Sequence, residues 1–365
     1  MIEFAVTFSP GADLNVDMGQ VIEVLATEER TVELSMPSGN QVILPTSSKG
    51  MRKVTIQKPD TLLPENIKKD VVIGGVTGAL EASPSGGGSP AGPYIEYTSL
   101  DSFGRVSTAK FRGTLVPEYA LSNLVELISV DMPDNVIAIS DRGFYHCPKL
   151  ALTSLPSGIT SIGEFAFCDC SNLALATLPS GITSVKRFTF SNCTNLALTN
   201  LPSGITSIGE FGFNNCTNLA LTSLPSGITS LAKAVFQFCQ KLALTSLPSG
   251  ITSIGDYAFR GCTSLKLTSL PSGITSIGEF AFSDCTSLVS ITLPPALASI
   301  RNQAFLKCSG LETVKFTSTV SAIPNGVFSG CTKLSTIYVP WSQGEVANAP
   351  WGANNATIVY DYTGE

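Results

Sequence analysis

Apolar residues recur along most of this chain at a fixed interval of 23 positions. Phenylalanine stands at Phe144, Phe167, Phe190, Phe213, Phe236, Phe259, Phe282, Phe305 and Phe328. Cysteine follows each by three, from Cys147 to Cys331, and leucine follows each cysteine by three, from Leu150 to Leu334. Eight positions before each cysteine is Ile139, Ile162, Val185, Ile208, Leu231, Ile254, Ile277, Ile300 or Ile323. Proline keeps the beat from Pro133 to Pro294, skips Thr317 and returns at Pro340. One unit cannot bury its apolar face alone, whereas stacked units share a continuous core, so the period predicts a solenoid.

Within a unit such as LALTSLPSGITSIGEFGFNNCTN, the Leu/Thr segment before proline predicts a strand. Leu-Pro-Ser-Gly predicts a type I turn with proline second and glycine fourth. ITSI reads as a second short extended piece. The apolar spacing of i, i+3 and i+6 through Phe, Cys and Leu predicts a short helical or 3₁₀ turn. Strands of successive units pair in parallel at about 4.8 Å, so eleven turns make a rod roughly 50 Å long. The inward set differs between units. Leu288, Ile291 and Leu293 read L-x-x-I-x-L, whereas Leu196, Leu198 and Leu201 read L-x-L-x-x-L. Leu152, Leu175, Leu198, Leu221, Leu244 and Leu267 therefore either form an exposed stripe or point inward through a local strand shift; the expectation is inward, because six exposed leucines would make a large apolar patch.

Open solenoid ends need caps. Leu121, Leu124 and Leu127 occupy the Phe, Cys and Leu slots one period before Cys147. Trp351 and Val346 occupy the Phe and Ile slots after Cys331, and ATIVYDY offers a closing strand. YIEYTSLDSFGRVSTAKF predicts a hairpin around Asp101–Gly104 over the first turn. The resulting organisation is residues 94–138 as hairpin and capping repeat, 139–340 as repeats and 341–365 as the C-terminal capping turn. Residues 82–93, ASPSGGGSPAGP, read as a linker. Residues 1–81 read as a small β-rich attachment or assembly domain, with PSGN at 37–40 joining two strands, and near the size at which a domain depends on self-association or a partner.

The composition narrows the function. The chain of 365 residues has 14% charged residues and a formal net charge of −6. Nucleic acid is an unfavourable partner, since phosphate binding needs a basic stripe. No apolar run approaches the roughly 18–20 residues of a membrane span, so membrane insertion is not expected. The start MIEFAVTFSPGADLNVDMG lacks the features of a secretory signal, and no signal peptide is read there. With His146 as the single histidine and no clustered carboxylates, no catalytic residue, metal ligand or cofactor is assigned. Cys168 and Cys170 are the one close cysteine pair, too close for zinc on one turn. The cysteine column reads as a buried ladder of small thiols, and Cys168, off the column, as an exposed thiol. His146 reads as a surface residue with no orienting carboxylate.

The motif in SIGEFAFSDCTSLVSITLP (276–294) resembles the BspA-type leucine-rich repeat of bacterial surface proteins, over residues from about 110 to 365. The resemblance implies a right-handed leucine-rich-repeat solenoid used in adhesion and protein recognition, with no catalytic residues to carry over. LLPENIKKDVVIGGVTGALE (62–81) resembles segments of tail and structural proteins in phages and prophages of gut Firmicutes, with Asp70 and Ala79 departing from that pattern. Together they imply a non-enzymatic recognition protein that binds a cell-surface protein or glycan through its repeats and is carried on a tail particle through residues 1–81. The alternatives are a bacterial cell-surface adhesin and a structural spacer. Recognition needs positions that vary along the rod, and the stretch before each cysteine varies most. Lys186, Arg187, Glu210, Lys233, Phe238, Asp256, Arg260 and Arg301 are the candidate contact residues, with Phe238 as aromatic anchor; the alternative is that they are solvated loop positions.

Overall fold

The computed structural model describes residues 94–101 and 103–363, which fall in the compact unit 77–365. The expected β-rich domain, its hairpin, the linker and the segment 62–81 lie outside the described residues. What is described is a parallel-strand solenoid of about 11 turns with a 23-residue period.

The chain enters through β1 (Tyr94–Leu100) and β2 (Val106–Arg112), the antiparallel hairpin expected around Asp101–Gly104. After β3 (Leu115–Val116), β4 (Ser129–Asp131) adds to β2 in parallel, which joins hairpin to solenoid. Then come two-residue strands, one per turn: β5 (Ala138–Ile139), β6 (Ser161–Ile162), β7 (Ser184–Val185), β8 (Ser207–Ile208), β9 (Ser230–Leu231), β10 (Ser253–Ile254) and β11 (Ser276–Ile277). The last turns hold β12 (Ser290–Leu293), β13 (Ser299–Ile300), β14 (Thr313–Phe316), β15 (Thr336–Tyr338) and the closing β16 (Thr357–Val359). Pairing is in register by one period, as in Ser253 opposite Ser276 and Ile254 opposite Ile277. The two-residue strands stay short because Ile159 and Ile162 are both buried while Thr160 and Ser161 between them face water. That spacing breaks the period-2 alternation a longer strand requires.

The spine is built from the columns seen in the sequence. The Phe144-to-Phe328 rings stack turn upon turn with centroids 5.0–5.8 Å apart. Leu121 and Leu127 continue the core at one end and Trp351 and Val346 at the other. All ten cysteines are free and buried. They are more than apolar filler. Each thiol of the column donates to a carbonyl 26 residues earlier, for example Cys170 to Phe144 at 2.9 Å and Cys239 to Phe213 at 3.0 Å. The same bond recurs from Cys147, which uses Leu121, to Cys331, which uses Phe305. A small side chain with a donor is what this buried carbonyl row asks for.

Three local expectations are corrected. The proline turn is displaced by one residue: Ile182 N–H bonds Pro179 O, so proline is first and Ser-Gly are central. No helix forms among the described residues. In its place are single turns, such as Cys168 N–H to Phe165 O and Cys170 N–H to Phe167 O. They are interrupted by left-handed residues such as Phe165 (φ 55°) and Asp169 (φ 62°). Those residues cost about 1 kcal/mol or more each, and their N–H groups reach the next turn instead, Phe165 to Arg187 O and Asp169 to Ser191 O. Finally, Cys168 is buried, 6% exposed.

The leucine question resolves inward. Leu175, Leu198, Leu221, Leu244 and Leu267 are at most 1% exposed, and Leu152 in the first such turn is partly buried against the core. The strand shift has a structural price. Where L-x-x-I-x-L or its counterparts Leu311, Val314, Phe316 and Leu334, Ile337, Val339 occur, β12, β14 and β15 form a regular sheet, which β16 closes. Where L-x-L-x-x-L occurs, two exposed residues such as Thr222 and Ser223 separate the buried leucines and no strand forms.

Candidate functional site

The left-handed residue two before each core phenylalanine points its side chain to the flank. Phe165, Phe188 and Phe211 stack there, half-buried, at 4.7 and 4.5 Å. Tyr257 and Phe280 continue the column at 5.2 Å. Guanidinium groups extend it: Arg142 lies between Tyr119 (5.3 Å) and Phe165 (4.8 Å), and Arg187 covers Phe188 (4.7 Å). Ala234, fully buried, breaks the column between Phe211 and Tyr257. Sequence reasoning missed this second aromatic column, although Phe165, Phe188 and Phe211, and again Tyr257 and Phe280, repeat at the same 23-residue interval as the core phenylalanines two residues later.

Six of the eight candidate residues form three pairs. Arg187 faces Glu210 at 3.7 Å. Asp256 accepts from the Glu279 N–H at 2.7 Å and from Arg301 at 3.2 Å. Asp141 makes the same backbone bond to Glu164, so Asp256 also belongs to the turn's scaffold. Lys186 and Lys233 are exposed and have no ion pair among the described residues. Phe238 and Arg260 meet. The Phe238 N–H bonds the Arg260 carbonyl at 2.6 Å, and the guanidinium sits 5.5 Å from the ring centroid. Gly261 makes room for that ring, since a Cβ there would lie 2.6 Å from Phe238 Cδ1. Arg260 is also 5.8 Å from Tyr257 and from Phe280, and 4.0 Å from Asp284. Phe238 is 38% exposed, so an apolar ring is presented to water on a rigid turn with its cation already placed beside it.

A second varied patch lies on the strand face of the last turns. Lys315 of β14 sits 5.4 Å from the Tyr338 ring of β15 and 5.5 Å from Tyr362. The expectation that variation concentrates before each cysteine missed it, because the strand positions are Ala, Thr and Ser in the middle turns and become varied only from β14 on.

Burial, then the Asp169 carboxylate, pushes the Cys168 thiol up to about 12, so it stays protonated and unreactive near neutrality. His146 does have a carboxylate nearby, Asp169 at 3.9 Å. Its neighbour Cys147 faces into the spine and donates to Leu121 O. No group of three His, Cys, Asp or Glu could hold a metal among the described residues, and no helix there is long and apolar enough to cross a membrane.

A family model for the BspA type leucine rich repeat region matches residues 114–243 and 234–350 in six copies. The chain belongs to the BspA-type leucine-rich repeat family. Solved structures of similar sequence include a leucine rich cell surface protein from Faecalibacterium prausnitzii, 23% identical over 73% of this chain and 96% of that one, TM-score 0.34. A T. pallidum leucine rich repeat protein is 25% identical over 52% and 86%, TM-score 0.39. The pneumococcal vaccine antigen PcpA is 18% identical over 65% and 75%, TM-score 0.41. No curated protein matches the chain. In this BspA-type chain the phenylalanine, cysteine and leucine columns form the spine. The tail-like segment 62–81 lies outside the matched residues as well as outside the described ones.

Proposed function

We propose that this BspA-type chain is a bacterial cell-surface adhesin, a non-enzymatic protein that binds a cell-surface protein or glycan along the flank of its solenoid. One observation carries the reading. Along the middle turns, whose strand positions repeat Ala, Thr and Ser, the flank alternates in charge and presents Phe238 beside Arg260 on a preformed turn. A rigid aromatic with a neighbouring guanidinium is the composition of an interface hot spot. Residues 1–81 would then anchor the molecule and 82–93 space it from the anchor. The alternative of a tail-borne receptor-binding component rested on 62–81 alone and gains nothing from the family match. Beads coated with the full chain should bind cultured epithelial cells well above beads coated with albumin. Equal binding of the two would overturn the proposal.

A further inference from the structure

Two amide ladders run along the edge of the cysteine turns and stop at the same place. On the residue before each cysteine, Asn192 donates to Asp169 at 2.7 Å and Asn215 donates to Asn192 at 3.1 Å. Two residues after each cysteine, Asn195 donates to Asn172 and Asn218 to Asn195, both at 3.4 Å. The next rungs are Phe238 and Lys241. Neither continues the ladder, so the Oδ1 atoms of Asn215 and Asn218 carry no side-chain partner among the described residues. Beside these ends stand the exposed Phe238 ring, the Arg260 guanidinium and Lys241, which has no ion pair there. The segments 191–195, 214–218, 237–241 and 260–264 hold no Asp or Glu, and Lys233 and Lys241 are the only charges between residues 211 and 255.

We infer that this patch is a subsite for a carboxylate-bearing glycan, an inference that rests on the adhesin reading and names its ligand. A sugar ring has an apolar C–H face, hydroxyls that both donate and accept, and, in sialic or uronic acids, one carboxylate. Phe238 supplies the stacking surface. Asn215 and Asn218 supply free amide acceptors for hydroxyls. Lys241, exposed and without an ion pair among the described residues, attracts the carboxylate, while Arg260 is already held 4.0 Å from Asp284 and adds its charge beside the ring. An acidic peptide would also be drawn by the charge and could donate backbone N–H groups to the ladder ends, but a carboxylate side chain offers no flat apolar face to Phe238, which is why the glycan is favoured.

The full chain is tested by biolayer interferometry against immobilised 3′-sialyllactose, a hyaluronan oligosaccharide, lactose and poly-glutamate. At least one acidic sugar should be retained tenfold or more better than lactose and poly-glutamate. Phe238→Ala and Lys241→Gln should each weaken that retention at least tenfold. Lys241 is solvent-exposed, so loss in that variant cannot be unfolding, and a melt checks Phe238→Ala. Retention of neither acidic sugar, unchanged binding by both variants, or preference for poly-glutamate would each overturn the inference. The cell-bead assay run in parallel separates the two claims. Bead adhesion without sugar retention sinks only the glycan, and sugar retention without bead adhesion sinks only the adhesin.

Discussion

Replacing one thiol in the middle of the spine separates two readings of why cysteine is there. Cys239 is fully buried and donates to Phe213 O at 3.0 Å. Cys239→Ala removes about one methylene's worth of apolar burial, ~0.8 kcal/mol. It also takes one of two donors from the Phe213 carbonyl, which keeps the Cys216 N–H at 3.2 Å. Losing one of two partners puts that cost at the low end, about 1 kcal/mol. The total is about 2 kcal/mol, which at about 2–4 °C per kcal/mol for a domain of this size lowers Tm by about 4–8 °C. Cys239→Ser keeps a donor in the same place and should lose only about 1 kcal/mol. If the thiol were mere filler the order would invert, because a buried hydroxyl without a partner costs about 1–3 kcal/mol. Thermal melts and urea titrations of the full-length pair decide it. Serine less stable than alanine would refute the hydrogen-bonding role.

The same thiols should set an alkaline limit. Burial raises eight of them, from Cys168 to Cys308, above their ordinary value of 9.0. A raised folded-state value gives stability that is complete below about pH 9 and lost as pH climbs past it, by about 1.4 kcal/mol per pH unit for each thiol. Denaturation midpoints measured from pH 7 to 11 should therefore be flat and then fall steeply; a flat profile throughout contradicts the buried column. Gly310→Ala should cost about 3 kcal/mol or prevent folding, because a Cβ would lie 2.1 Å from Thr286 O. Gly104→Ala, with open space but φ +78°, should cost only about 1 kcal/mol, and comparable losses would discredit the close turn-to-turn approach. Leu221→Thr should lose about 3 kcal/mol. Adding Thr222→Ile, which recreates L-x-x-I-x-L in that turn, should restore most of it; no rescue on denaturation would mean the shifted strand has another cause.

The spine was legible because its signal is additive: nine phenylalanines, nine cysteines and nine leucines in phase outvote any local ambiguity. The inward leucines were legible by the same logic of exposed apolar area. Helical turns were expected from i, i+3, i+6 spacing, but spacing does not report φ. Left-handed residues before each core phenylalanine and each cysteine send alternate N–H groups to the neighbouring turn. The flank column of Phe165, Phe188, Phe211, Tyr257 and Phe280 was hidden for a related reason. Adjacent aromatic columns cannot be told apart by burial until the backbone shows which one points out. The pairing of Phe238 with Arg260 was half-visible: both residues break the pattern, while Gly261, which lets the ring lie down, reads in sequence as one more turn residue.

Everything above depends on the cysteine column being a single row inside the stack. Anomalous scattering from sulfur in a crystal of the full chain measures that directly. The account predicts nine sites in line, about 5 Å from one to the next, each within hydrogen-bonding reach of a carbonyl from the turn before. The column cysteines scattered over the surface, or paired as disulfides, would contradict it.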